Sequence, residues 1–127
     1  MSEDVNKYRF KTKEAAEFFA KKLAYTLGPV EVKKMLTRDN VVLIDLRQSA
    51  DFETSHIPGA ISIPKDELVS KLDTLSKEKI NIVYCYNQQC HLGAAGAFNL
   101  ASNGYPVMEM EGGFKVWVED FGFETEK

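Results

Sequence analysis

Val41-Val42-Leu43-Ile44 is a continuous apolar run rich in β-branched residues, it ends abruptly in Asp45, and Ile80 to Cys85 is a second run of the same kind. These two runs constrain the fold more than any other feature. A strand with one wet face alternates apolar and polar residues, whereas a run without alternation is covered on both faces, as in a parallel sheet clad by helices. Val107 to Met110 is a third, weaker strand.

Helical patterns fill the spaces between the strands. Lys13 to Leu27 carries Phe19, Leu23 and Leu27 at helical spacing, with Thr12 as N-cap and Gly28-Pro29 as the stop. Pro29 then opens a short helix through Val32, Met35 and Leu36. Further helices are expected at 48–54, 66–74, 91–103 and 113–120. The segment 91–103 is rich in Gly and Ala, which allows close approach to a sheet, and Gly104 is a natural stop. The polar stretches 1–9 and 124–127 read as frayed ends. Alternating strands and helices make the fold class α/β. The chain divides into an N-terminal helical extension, 1–28, packing on the same domain, and a main domain, 29–127. Covering the sheet is the expected role of the extension, and contact with a partner or a second copy is the alternative.

Composition excludes several functions. The chain has 127 residues, enough for one domain with an ordinary core. With 16 Lys and Arg against 19 Asp and Glu, neither sign gathered into a block, nucleic acid is not an expected partner. No stretch reaches the roughly 18 apolar residues of a membrane span, so a cytoplasmic protein is expected. The two cysteines, Cys85 and Cys90, are too few for a disulfide framework and read as chemistry.

Cys85 ends a strand, the loop Tyr86-Asn87-Gln88-Gln89-Cys90 follows, and a helix begins near His91. Ligands bind at the carboxyl edge of open α/β sheets, and a strand-to-helix loop turns backbone N–H groups toward an anion. A free thiol with a pKa of about 8.5 is mostly protonated at pH 7; such a loop is expected to lower the pKa by about two units and supply a thiolate.

Taken in order, several motifs resemble the rhodanese (sulfurtransferase) family: Ile44-Asp45-Leu46-Arg47; Phe52; His56-Ile57-Pro58-Gly59-Ala60-Ile61-Ser62-Ile63-Pro64; Ile82-Val83-Tyr84-Cys85; Gly104-Tyr105-Pro106-Val107; and Glu111-Gly112-Gly113-Phe114-Lys115-Val116-Trp117. The match runs from about Pro29 to Phe123. The resemblance implies a central five-stranded parallel sheet with helices on both faces, and Cys85 at the family's catalytic cysteine. Many members carry Gly three and Arg five residues after the cysteine, where this chain has Gln88 and Cys90. Rhodanese-fold phosphatases and arsenate reductases carry Arg six residues after it, where His91 stands, so oxyanion-ester chemistry is disfavoured.

The expected function is that of a sulfurtransferase or persulfide carrier. Cys85 accepts sulfane sulfur from thiosulfate, polysulfide or a protein persulfide and passes it to a thiol or other thiophilic acceptor, with no cofactor. Tyr86, Asn87, Gln88, Gln89, Cys90 and His91 form the substrate-binding loop, in which the neutral hydrogen-bonding side chains of Tyr86, Asn87, Gln88 and Gln89 favour a neutral or singly charged donor. Cys90 is either a small residue at a helix start or a resolving thiol; His91 either lends charge to the thiolate or faces water. The alternative function is a rhodanese-fold binding or redox-sensing module using a Cys85/Cys90 dithiol–disulfide pair. Asp45, Arg47 and His56 read as structural support, and Phe114 and Trp117 as core. A zinc site from Cys85, Cys90, His91 and His56 has the wrong spacings. The chain is expected to be a monomer or a homodimer.

Overall fold

The computed structural model describes residues 3–38 and 40–127. Helices α1 (Glu3–Arg9) and α2 (Thr12–Tyr25) lead into strand β1 (Thr26–Leu27), helix α3 (Pro29–Arg38) and strand β2 (Val41–Asp45). Helix α4 (Ser49–Thr54), strand β3 (Ile61–Ser62) and two 3₁₀ turns, Lys65–Glu67 and Val69–Thr74, follow. Strand β4 (Ile80–Tyr84), helix α5 (Leu92–Ser102), strand β5 (Val107–Met110) and a short helix α6 (Gly113–Lys115) running into a π-helical turn, Val116–Asp120, complete the chain.

The strands form one five-stranded sheet in the order β1-β5-β4-β2-β3, with every pair parallel. The lack of alternation in the two apolar runs is explained by two separate cores. Leu43, Ile82 and Tyr84 face one side, with Val32 of α3 and Trp117. Ile44 and Val83 face the other, with Leu68 and with Leu100 of α5. Each such side chain removed from water contributes about 1.5–3 kcal/mol, so both faces must stay covered.

Several expectations need correction. Leu27 is not helical: α2 stops at Tyr25, the Thr26 hydroxyl donates to the Lys22 carbonyl (2.6 Å), and Thr26 and Leu27 pair with Glu109 and Met110. Tertiary pairing overrides the helical spacing there. Thr12 is the first helical residue rather than the cap. No residue of α2 is buried, so its apolar stripe does not cover the sheet. Residues 3–9 of the expected frayed end are helical, and residues 1 and 2 lie outside the described residues. At the other end Glu126 is pinned, its backbone exchanging two 2.9 Å hydrogen bonds with that of His56. The segment 66–74 is 3₁₀ rather than α-helical, and 113–120 widens into the π-helical turn.

The Gly-rich α5 lies close to the sheet as its composition suggests: a Cβ at Gly96 would sit 2.5 Å from Leu46 Cδ1, and Leu46 is buried. Gly96→Val is expected to cost about 1–3 kcal/mol in urea denaturation, because a packed neighbour must move. An unchanged midpoint would show that the helix can back away from the sheet.

Candidate active site

Parallel strands that end together bring their following loops together. After Asp45 of β2, Tyr84 of β4 and Met110 of β5, the chain continues into Leu46–Gln48, the loop 85–91 and Glu111–Gly113. Cys85 is the first residue past β4, and it is 3% exposed. The loop turns on itself, with the Cys90 N–H donating to the Asn87 carbonyl (3.2 Å) and the Gln89 N–H to the Asn87 side-chain oxygen (3.0 Å). His91 then takes the N-cap position of α5, exposed and without a side-chain capping bond.

The thiol Sγ lies 3.5 Å from the Cys90 carbonyl oxygen and 3.7 Å from that of Asn87. Burial pushes the thiol pKa up to about 11, and the Cys90 thiol beside it adds to the rise. Hydrogen bonds from the Gly93 and Asn87 backbone pull it down, as the loop geometry led one to expect, but they are outweighed. The expectation of a lowered pKa is thus reversed: the resting thiol is neutral at pH 7.

The underside of the loop is held by the segment after β5. The Phe114 N–H donates to the Cys85 carbonyl (2.8 Å), the Lys115 N–H to that of Tyr86 (2.9 Å), and the Gly112 N–H to the Gln88 side-chain oxygen (2.5 Å). Gly113 has φ of +64°, and a Cβ there would come within 2.6 Å of the Asn87 nitrogen and 2.7 Å of the Cys85 carbonyl oxygen. Only glycine fits that crossing. On the outer side the Tyr86 hydroxyl donates to Asp51 and accepts from the Gln48 N–H (3.2 Å). Asn87, Gln88, Gln89 and Lys115 border an open cavity of about 470 Å³, shared with Glu111 and Asp120.

Beneath the site lies a buried polar network. Asp45 receives the Arg47 guanidinium in a fork, Nε to Oδ1 at 3.1 Å and Nη2 to Oδ2 at 2.9 Å, and the Tyr84 hydroxyl at 2.6 Å. Arg47 Nη2 also donates to the Ser55 carbonyl (2.7 Å), and the Tyr84 oxygen accepts from the Ile57 N–H (3.2 Å). Burial lowers the Arg47 pKa, but the hydrogen bonds and charge of Asp45 outweigh it and leave it raised. Burial, then the Asp45 charge, holds the Tyr84 hydroxyl firmly protonated. His56 stacks on Phe52 with ring centroids 3.7 Å apart, and its ring nitrogens meet the Phe52 carbonyl (2.8 Å) and Glu126 (3.2 Å). Phe114 packs under the Arg47 guanidinium (4.0 Å), and Trp117 is buried.

The structure thus brings Asn87 and Cys90 to the Cys85 thiol, lines the open cavity with Asn87, Gln88 and Gln89 but neither cysteine, and leaves His91 exposed. Reading the sequence alone overlooked the roles of Tyr84, Asp51 and Glu109. Tyr84 looked like one more apolar strand residue. Glu109 packs over Gly93 in the first turn of α5, and burial, then the neighbouring Glu111, raises its pKa. Its partner is distant in sequence, so no local signal marks it.

Comparison with known proteins places this geometry. Residues 28–120 match the rhodanese-like domain family. The chain is 31% identical over 98 residues to the thiosulfate sulfurtransferase GlpE of Pseudomonas fluorescens, covering 76% of this chain and 88% of that protein. It is 26% identical over 97 residues to the GlpE of Pseudomonas savastanoi, covering 76% and 91%. A crystal structure of a Bacillus halodurans protein superposes with a TM-score of 0.82 at 31% identity, covering 91% of this chain and 85% of that one.

Alkylation of Cys85 in the resting protein is expected to titrate near pH 11, and Cys90→Ala to lower that midpoint by removing one of the groups that raise it. Because the fold favours the protonated thiol, its stabilising contribution is full below the ordinary pKa of 9.0 and is lost as pH rises toward about 11. A midpoint below pH 8 would contradict the buried placement. Asp45→Ala strands the Arg47 charge in the interior and is expected to cost about 3–5 kcal/mol in denaturant unfolding. A cost below 1 kcal/mol would mean that Arg47 escapes to water.

Proposed function

The chain belongs to the rhodanese-like domain family, and from that premise we propose that it is a cytoplasmic sulfurtransferase that carries sulfane sulfur as a persulfide on Cys85. One observation carries this reading: Cys85 lies at the carboxyl edge of a central parallel strand, where backbone hydrogen bonds from Asn87 in the following loop and Gly93 in the first turn of α5 favour its anion. Residues 29–127 are the rhodanese-like domain, and 1–28 are its N-terminal extension, whose described residues lend the sheet Thr26 and Leu27. Asp45, Arg47 and His56 act as structural support for the loops around the thiol.

The Cys85 thiolate attacks the outer sulfur of the donor, the new S–S bond forms, and the bond to the rest of the donor breaks. With thiosulfate the leaving group is sulfite, which takes the bonding electron pair. An acceptor thiolate then attacks the terminal sulfur and leaves carrying it, returning Cys85 as thiolate. No cofactor enters this cycle. With a pKa of about 11, roughly one Cys85 in 10⁴ is thiolate at pH 7 in the resting conformation, so the first step is slow until a donor opens the loop. Among the loop side chains from Tyr86 to Gln89 none is cationic, which favours a polysulfide or a protein persulfide as donor over doubly charged thiosulfate.

A second reading has its own observation, the Cys90 thiol against that of Cys85. Cys90 attacks the inner sulfur of the Cys85 persulfide and releases hydrosulfide, or attacks a peroxide-derived sulfenate and releases water; either leaves a Cys85–Cys90 disulfide.

Intact mass of the reduced protein after polysulfide, and separately after thiosulfate, tests both. A gain of about 32 Da, one sulfur, lost in Cys85→Ser and kept in Cys90→Ser, is the expected result, larger with polysulfide. No adduct from either donor, together with a loss of about 2 Da that needs both cysteines, would replace the carrier by the redox module.

A further inference from the structure

Two carbonyl oxygens, those of Cys90 (3.5 Å) and Asn87 (3.7 Å), accept from the Cys85 S–H. A thiolate has no proton to give them and would meet their lone pairs, so this arrangement of residues 87–90 suits the thiol and must shift for the anion. The base of the loop is fixed. Phe114 and Lys115 hold the Cys85 and Tyr86 carbonyls from below, and the Tyr86 hydroxyl is engaged by Asp51 and Gln48. From Asn87 to Cys90, by contrast, the hydrogen bonds run within the loop or to Cys85, with one exception among the described residues. That exception is the Gln88 side-chain oxygen, which accepts the Gly112 N–H at 2.5 Å. Beside it lies the open cavity of about 470 Å³ bordered by Asn87, Gln88 and Gln89, which gives this segment room to move without displacing packed side chains.

We propose that Gln88 is a positioning residue for sulfur transfer: its hydrogen bond to Gly112 latches residues 87–90 with their carbonyls on the Cys85 thiol, and its release lets the loop turn toward the anion. The tie is exposed, and the net worth of one such hydrogen bond shifts an opening equilibrium by roughly two- to twelvefold. The role in transfer rests on Cys85 being the sulfur carrier. The latch itself concerns only access to the thiol.

Iodoacetamide, a neutral alkylating reagent, reports the latch without any sulfur donor, and a Cys90→Ser background confines the reaction to Cys85. In Gln88→Ala and in the near-isosteric Gln88→Met, alkylation at pH 7 is expected to quicken by about two- to twelvefold. Its midpoint should fall by about 0.3–1 pH unit, because the thiol-holding state is weakened by the same factor. Gln88→Glu keeps an acceptor for the Gly112 N–H and is expected to restore the slow rate and the high midpoint. Loading of one sulfur from polysulfide should quicken in step with alkylation. An unchanged rate and midpoint in both Gln88→Ala and Gln88→Met, or an equal gain in Gln88→Glu, would overturn the latch. Faster alkylation with no sulfur adduct in any variant would uphold the latch and remove the carrier reading instead.

Discussion

The Asp45 carboxylate is the point on which the active edge of the sheet depends. It is wholly buried, and a buried carboxylate is tolerated only when its charge and lone pairs are met. Arg47 meets the charge with its guanidinium fork and its own backbone N–H (2.9 Å), and Tyr84, the register partner of Asp45 on β4, adds its hydroxyl. Each partner is tied onward, Arg47 to the Ser55 carbonyl and Tyr84 to the Ile57 N–H. One carboxylate therefore fixes the chain after β2, the turn before β3 and the residue immediately preceding Cys85. The hydrophobic effect alone would set no such registry, because it is non-directional.

The Cys85 thiol that follows Tyr84 is buried rather than presented. Cys85 is clamped by its own carbonyl, which Phe114 holds from below, while Gly113 crosses so closely that its backbone forms the floor of the loop. The backbone hydrogen bonds at Asn87 and Gly93 act as a short loop before a helix should, stabilising the anion. Burial and the second thiol act the other way and win. A guarded, protonated sulfur resists adventitious oxidation, since reactivity follows thiolate character and exposure.

The central strands and their burial on both faces were legible in the sequence because Val41–Asp45 and Ile80–Tyr84 lack alternation. The place of Cys85 at the carboxyl edge of a central strand was legible because a cysteine follows the second run directly. Thr26–Leu27 and Ile61–Ser62 were not, being two-residue strands that exist only through pairing with Glu109–Met110 and Ile44–Asp45. Their local sequence continues a helix in one case and a Pro-Gly turn segment in the other. The direction of the Cys85 shift was also illegible. Loop type and helix terminus can be read from sequence, but the depth of burial that outweighs them depends on Gly112, Gly113 and Phe114, which arrive from another strand.

The extension poses the sharpest conflict between local pattern and structure. The stripe of α2 has the spacing of a core-facing helix, yet among the described residues nothing buries it. What ties α2 to the domain is slight: the two-residue pairing of β1 that follows it, and an exposed Lys22–Glu111 ion pair at 3.3 Å, a kind of contact that contributes about 0–1 kcal/mol. A helix of 14 residues is marginal in water without an apolar face to bury. The intramolecular contacts thus give this helix little of the burial on which such helices depend.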